Sequence, residues 1–156
     1  MGVQIGPLYV RRSILINAAP AEIWSEFKTL DHIRSWLGIG QTVHEFNLCP
    51  GGAVNLSVDI DGEARHFGGA IVVLDEEQEV TFESQWQSPY QWPVPTFWTI
   101  RLAPLYDGTH VEIIHHGFER FGRDAADNLQ NYEEGWTVKH LKALRAIVEG
   151  IVEATA

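Results

Sequence analysis

Between residues 42 and 118 the chain adopts a period of two, and this constrains its fold more than any other feature. The segments 42–48, 53–60, 64–74, 79–86, 96–105 and 109–118 are rich in Val, Ile, Thr and aromatics and read as six strands. Four of their joins carry turn chemistry: Pro50-Gly51-Gly52, Asp61-Gly62, Asp75-Glu76-Glu77 and Asp107-Gly108. Connections this short can only link antiparallel neighbours, so the six segments form a meander. Residues 87–95, QSPYQWPVP, are the longest irregular piece, with three prolines and two aromatics.

Helical spacing flanks the meander. Residues 8–17 read as a first strand, with Leu8, Val10, Ile14 and Ile16 in partial alternation. In 17–27, Pro20 suits a first helical turn and Ile23, Trp24 and Phe27 recur at helical spacing. A second short helix over 29–37 has Asp31 as its expected cap, an apolar edge of Ile33, Trp36 and Leu37, and Gly38 as its end. A single amphipathic helix is predicted over residues 124–153. Strand, two short helices, six strands and one long helix make an α+β domain, expected to be a single unit over residues 1–156. The long helix is the element able to cover the apolar face of the sheet.

Charge and cysteine content narrow the partners. The chain has 21 acidic against 11 basic residues, net −10, and no Lys/Arg stripe, which argues against nucleic acid and anionic membranes. Cys49 is the only cysteine, so no intrachain disulfide can form, and a buried inert thiol is expected. The N-terminal residues lack an apolar signal core, no segment has transmembrane length, and Gly6 breaks the myristoylation pattern. A cytoplasmic protein without membrane insertion is the expectation. Six Trp and seven Phe imply either a large core or an apolar cavity with aromatic walls.

Alternation assigns the strand faces once one residue is fixed. Val111, Ile113 and His115 share a face, opposite His110, Glu112, Ile114 and His116. Trp98, Ile100 and Leu102 point inward if Arg101 points out, and Val80, Phe82, Ser84 and Trp86 oppose Glu83. Phe67 precedes Gly68-Gly69, a pair expected to mark a bulge or bend. On the helix, Ala125, Leu129, Tyr132 and Trp136 form a first stripe, and Leu141, Leu144, Val148 and Ile151 a second, displaced one. Gly135 falls on the outer side with Lys139, Lys142 and Glu149, which suggests a joint where the buried face changes. The residues expected at a ligand cavity are Trp36, Phe67, Phe82, Trp86, Trp98, Ile113, His115, Tyr132, Glu133 and Trp136. His115 and His116 are adjacent on a strand and point to opposite faces, so they cannot chelate one metal. No metal-binding spacing, nucleophile elbow or phosphate loop accompanies them, and no cofactor is expected. Acid-base work by His115 with Glu133 or Asp59 stays open.

Six stretches carry a family resemblance: 19-APAEIWSEF-27, 36-WLG-38, 50-PGGAV-54, 68-GGAIVVLDEEQEVTFESQW-86, 108-GTHVEIIHHGF-118 and 135-GWTVKHLKAL-144. In this order they resemble the START-like or polyketide-cyclase (SRPBCC) superfamily, and within it the branch related to the heat-shock-chaperone ATPase activator. The resemblance implies a helix-grip fold, a curved antiparallel sheet wrapped around a long C-terminal helix. It also implies a hydrophobic cavity between the two for lipids, polyketides, hormones or other apolar small molecules. The segment 87–95 departs from the family, so selectivity cannot be borrowed if it borders the cavity mouth. Three functions follow as expectations: a carrier or sensor of a small apolar ligand, a cyclase or hydratase using His115 with a carboxylate, or a chaperone-associated protein-binding module. A homodimer is left open.

Overall fold

The computed structural model describes residues 5–87, 91–127, 129 and 138–150. Strand β1 (Tyr9–Ile16) leads into helix α1 (Pro20–Trp24), a 3-10 turn (Ser25–Phe27) and helix α2 (Leu30–Leu37). Six strands follow, β2 (Thr42–Phe46), β3 (Ala53–Ile60), β4 (Glu63–Asp75), β5 (Glu79–Trp86), β6 (Thr96–Leu105) and β7 (Gly108–His116). A 3-10 segment (Phe118–Asp124) and helix α3 (Lys139–Glu149) come last. The strands form one seven-stranded sheet in the order β1-β7-β6-β5-β4-β3-β2, antiparallel at every pairing. The α+β architecture is therefore the predicted meander, with β1 added beside β7 by a long-range pairing.

Turn and cap chemistry explains the element boundaries. Asp61 and Gly62 both take positive φ, 54° and 82°, as a two-residue hairpin between β3 and β4 requires. Pro20 opens α1, where its missing N–H has no intrahelical partner to lose. Helix α2 is capped by Thr29, whose hydroxyl accepts from the His32 N–H at 3.2 Å, rather than by Asp31. Asp31 lies inside the first turn, where its charge favours the helix dipole but its backbone is already helical. Cys49 is exposed, contrary to the buried thiol expected. Its backbone belongs to the tight β2–β3 connection, where the Gly52 N–H bonds its carbonyl at 2.8 Å, and a turn tip offers no apolar cover.

The terminal helix differs from the prediction. Among the described residues, helix covers 125–127, 129 and then Lys139–Glu149, and Val138 has a non-helical backbone (φ −87°, ψ 10°). Helix α3 thus starts as its own element at Lys139, and it stops at Gly150 in the left-handed conformation (φ 70°) rather than at residue 153. Its inner side is the predicted second stripe: Leu141 and Leu144 are buried, Val148 packs against the core, and Lys139 and Lys142 are exposed. The joint at Gly135, with Tyr132, Glu133, Trp136 and Ile151, lies outside the described residues. His140 Nδ1 donates to the Trp36 carbonyl at 3.0 Å, pinning α3 to an unsatisfied carbonyl in the last turn of α2.

The core lies between the inner face of the sheet and these helices. Ile23, Trp24, Phe27, Ile33, Trp36 and Leu37 come from the α1–α2 region and meet inward residues of all seven strands. Burying each such side chain contributes about 1.5–3 kcal/mol. The sheet is irregular at two points. Register shifts between Ile71 and Val73, so the β4 bulge is at Val72 and not at the glycine pair. Gly68 and Gly69 instead keep register with β3 while taking φ of 142° and 157°. A Cβ on Gly68 would collide with the Val54 carbonyl oxygen, and one on Gly69 with the Glu83 side chain. The pair marks a close approach at positive φ, which only glycine permits.

Candidate functional site

Register fixes which side chains share the inner face. His115 stands between Val10 and Trp98, Ile113 between Arg12 and Ile100, and Val111 between Ile14 and Leu102. Next to Trp98 in the same direction lies Phe82, and Phe67 is paired with Trp86. Rings on this face meet one another in a closed circuit. Trp98 contacts Phe67 (6.2 Å between centroids), Phe67 contacts Trp86 (4.8 Å) and Trp86 contacts Trp92 (6.3 Å). Trp92 then reaches Phe121 (5.1 Å), Phe121 reaches Phe118 (6.1 Å), Phe118 reaches His115 (4.8 Å), and His115 returns to Trp98 (5.5 Å). Phe82 and Phe46 extend the array from Trp98. These separations are those of offset or edge-on aromatic pairs, each worth about 0.5–1.5 kcal/mol beyond area burial.

Of the residues expected at a cavity, Phe67, Phe82, Trp86, Trp98 and His115 are brought together in this array, and Ile113 is buried beside His115. Trp36 belongs to a second cluster with Phe27 and Trp24 and donates from Nε1 to the Glu26 carbonyl at 3.2 Å. Tyr132, Glu133 and Trp136 lie outside the described residues. Three members of the circuit were not anticipated. Phe118 and Phe121 are three apart in a 3-10 segment, a spacing that puts both on one side; the glycines around them read only as a strand exit and loop. Trp92 has no periodic signal at all. Its backbone is held by Gln85, whose Nε2 donates to the Trp92 carbonyl (3.1 Å) and whose Oε1 accepts from the Trp92 N–H (2.9 Å). Arg12 also went unnoticed: β1 turns it to the inner face beside Ile113, and its Nη1 donates to the Arg11 carbonyl at 2.8 Å.

The polar groups of this face are ordered. Thr96 Oγ1 donates to the Ser84 carbonyl at 3.2 Å and lies 2.7 Å from His115 Nε2. If the hydroxyl proton goes to the Ser84 carbonyl, Thr96 accepts from His115 Nε2–H and Nδ1 is the acceptor nitrogen. Burial holds the His115 pKa well below its usual 6.5, helped by the neighbouring His116, so the ring is neutral near pH 7. Asp59 is exposed on β3, four strands from β7 and so about 19 Å away at ~4.8 Å per strand, too far to pair with His115.

His116 points to the opposite face, as adjacent strand residues must, yet it is buried there, and so is Ile114. The outer face near β7 is not bare because the turn after Gly117 folds back over it. Glu119 accepts from the Leu8 N–H at 3.4 Å, and the Arg120 guanidinium covers the Phe97 ring that packs on His116. Beneath, His116 Nε2, Thr99 Oγ1 and Thr81 Oγ1 follow at 2.7 and 2.8 Å, and Thr81 donates to Glu79, which accepts from Arg101 at 2.8 Å. Desolvation first, then Arg101, lower the His116 pKa to about 4, against the opposing pull of Glu119 and Glu79. Both histidines are therefore neutral, hydrogen-bonded parts of the sheet. No group of three or more metal-ligating side chains occurs among the described residues. No described helix is long and apolar enough to cross a membrane.

Solved structures share this architecture. A Chromobacterium violaceum protein is 25% identical with a TM-score of 0.69, the match covering 92% of this chain and 99% of that one. The Aha1 protein of Colwellia psychrerythraea, solved as a dimer, is 18% identical with a TM-score of 0.63, covering 93% and 99%. DynU16, from the dynemicin biosynthetic locus, is 14% identical with a TM-score of 0.63, and the match covers 92% of this chain but 48% of that larger one. No curated protein matches. The family of Activator of Hsp90 ATPase homolog 1-like proteins matches residues 17–149. With its helix-grip-like sheet and aromatic-lined interior, the chain belongs to that family, a branch of the START-like (SRPBCC) superfamily.

Proposed function

We propose that the protein is a single START-like domain that binds a small apolar ligand, lipid, aromatic or polyketide-like, against the aromatic circuit of its inner face. The carrying observation is the circuit itself: seven rings closing on one another through elements far apart in sequence. Aromatic walls with a few placed polar groups, here Thr96 and His115, are the usual composition of a small-molecule site. Native mass spectrometry of freshly purified protein should show a co-purified apolar molecule, and thermal shift against lipid and aromatic libraries should find stabilising ligands. Protein that is always empty and never stabilised would refute the reading. The neutrality of His115 favours binding over acid-base catalysis, because an imidazole whose protonated form is suppressed is a weak base at neutral pH. If a ligand is turned over, His115→Ala should abolish turnover and leave binding if a cyclase or hydratase role holds.

The exposed Cys49 thiol suits a reducing cytoplasmic setting. A homodimer is the assembly we propose, by analogy with the Colwellia Aha1 dimer, and sedimentation velocity tests it. A chaperone-binding role would follow the family's name alone; a pulldown recovering the chaperone ATPase would support it.

A further inference from the structure

At the end of β5 an open cleft of about 550 Å³ lies against the aromatic circuit. Phe67 and Trp86 line the cleft and are also links of the circuit, so the cleft abuts the circuit at these rings. The rest of its wall is polar in a particular way. Asn55, Gly68 and Gln85 form one row across β3, β4 and β5, which places two carboxamides on either side of the glycine backbone. Gln87 and Gln91 add two more carboxamides, and among the described residues Glu45 is the charged side chain lining the cleft.

These groups differ in what they can offer. Gln85 is committed at both ends to the Trp92 backbone, so it is wall and not contact. Asn55 Oδ1 takes the His66 Nδ1–H at 3.0 Å, which leaves the Asn55 amide N–H groups as its offering. The carboxamides of Gln87 and Gln91 can both donate and accept, and Glu45 accepts. Hydroxyl groups, each donor and acceptor at once, satisfy such a set; a phosphate, sulfate or carboxylate would meet Glu45 and no cation among the described lining residues. The volume lies in the range of small-molecule sites, about 300–1,000 Å³.

We propose that the ligand is a conjugate, an aromatic or otherwise apolar body on the circuit joined to a neutral polyhydroxylated, sugar-like head in this cleft. The inference rests on the apolar-ligand reading above and adds the chemistry of the second half. Isothermal titration of three probes with one body tests it: 2-naphthyl β-glucoside, 2-naphthyl phosphate and 2-methylnaphthalene. The glucoside should bind about tenfold tighter than either of the others, a difference of two or so hydrogen bonds. Glu45→Gln, at an exposed residue, and Asn55→Ala, at a half-buried one, should each weaken the glucoside severalfold and leave 2-methylnaphthalene unchanged. Equal binding of all three, tighter binding of the phosphate, or indifference to both variants overturns the sugar-like head while leaving the apolar site standing. Failure of all three probes to bind removes the apolar site, and the inference with it.

Discussion

Two threonine hydroxyls decide the chemistry of two buried histidines. Thr96 and Thr99 lie 2.7 Å from His115 and His116, one on each face of the sheet. Thr96→Val keeps the shape but leaves the buried His115 Nε2 unmatched, and should destabilise the fold by about 1–3 kcal/mol in urea unfolding. A loss below a few tenths would show that the bond contributes nothing. Acid titrates the same groups. Folding lowers the His116 pKa from 6.5 to about 4, so in that window the unfolded chain binds more protons than the folded one. Its stabilising contribution is complete above pH 6.5, falls as pH drops, and levels off below about 4. His115 and His140 are shifted in the same direction, chiefly by desolvation. The guanidinium midpoint should therefore fall between pH 7.5 and 4.5, and less steeply in His116→Gln; equal slopes in the two proteins would contradict the assignment. Alternation in the sequence places the two histidines on opposite faces, but not the burial of the outer one. That depends on Glu119 and Arg120 folding back, a long-range event with no periodic signature.

At the level of elements, glycine and cap positions carry the local geometry. Gly68→Ala would have to clear the Val54 carbonyl from a backbone of φ 142°, and should cost about 2 kcal/mol or more in a thermal or urea unfolding comparison. A near-neutral Gly68→Ala would mean that the close approach to Val54 relaxes freely. Thr29→Ala removes the cap of α2 and should cost about 1 kcal/mol, whereas Asp31→Ala should cost less. The strand segments were legible because each repeats a two-residue pattern between turn residues; β3, β5 and β6 have the predicted limits. Helix α3 was not, since a displaced apolar stripe cannot say where one helix ends and another starts. Val138 carries no breaker chemistry, and only its backbone angles mark the start at Lys139.

At the scale of the molecule, β1 must find β7 across about a hundred residues of intervening chain before the sheet is complete. Folding should therefore be slow, in milliseconds to seconds by stopped-flow fluorescence, as for other sheets built on long-range pairs. Amide exchange should be slowest in β6 and β7, each flanked by strands on both sides, and fastest in the edge strand β2. Fast exchange throughout β7 would show that the sheet opens there first. The sequence by itself determined the strand list, the antiparallel meander, the inward faces of β5, β6 and β7 and the family resemblance, because all of these follow from spacing along the chain. Tertiary structure alone decided the closing of the aromatic circuit by Trp92, Phe118 and Phe121. It alone gathered residues of β2 to β5 and of the following loop around the polar cleft. Each of these is a meeting of segments distant in sequence, and no local pattern encodes the distance between them.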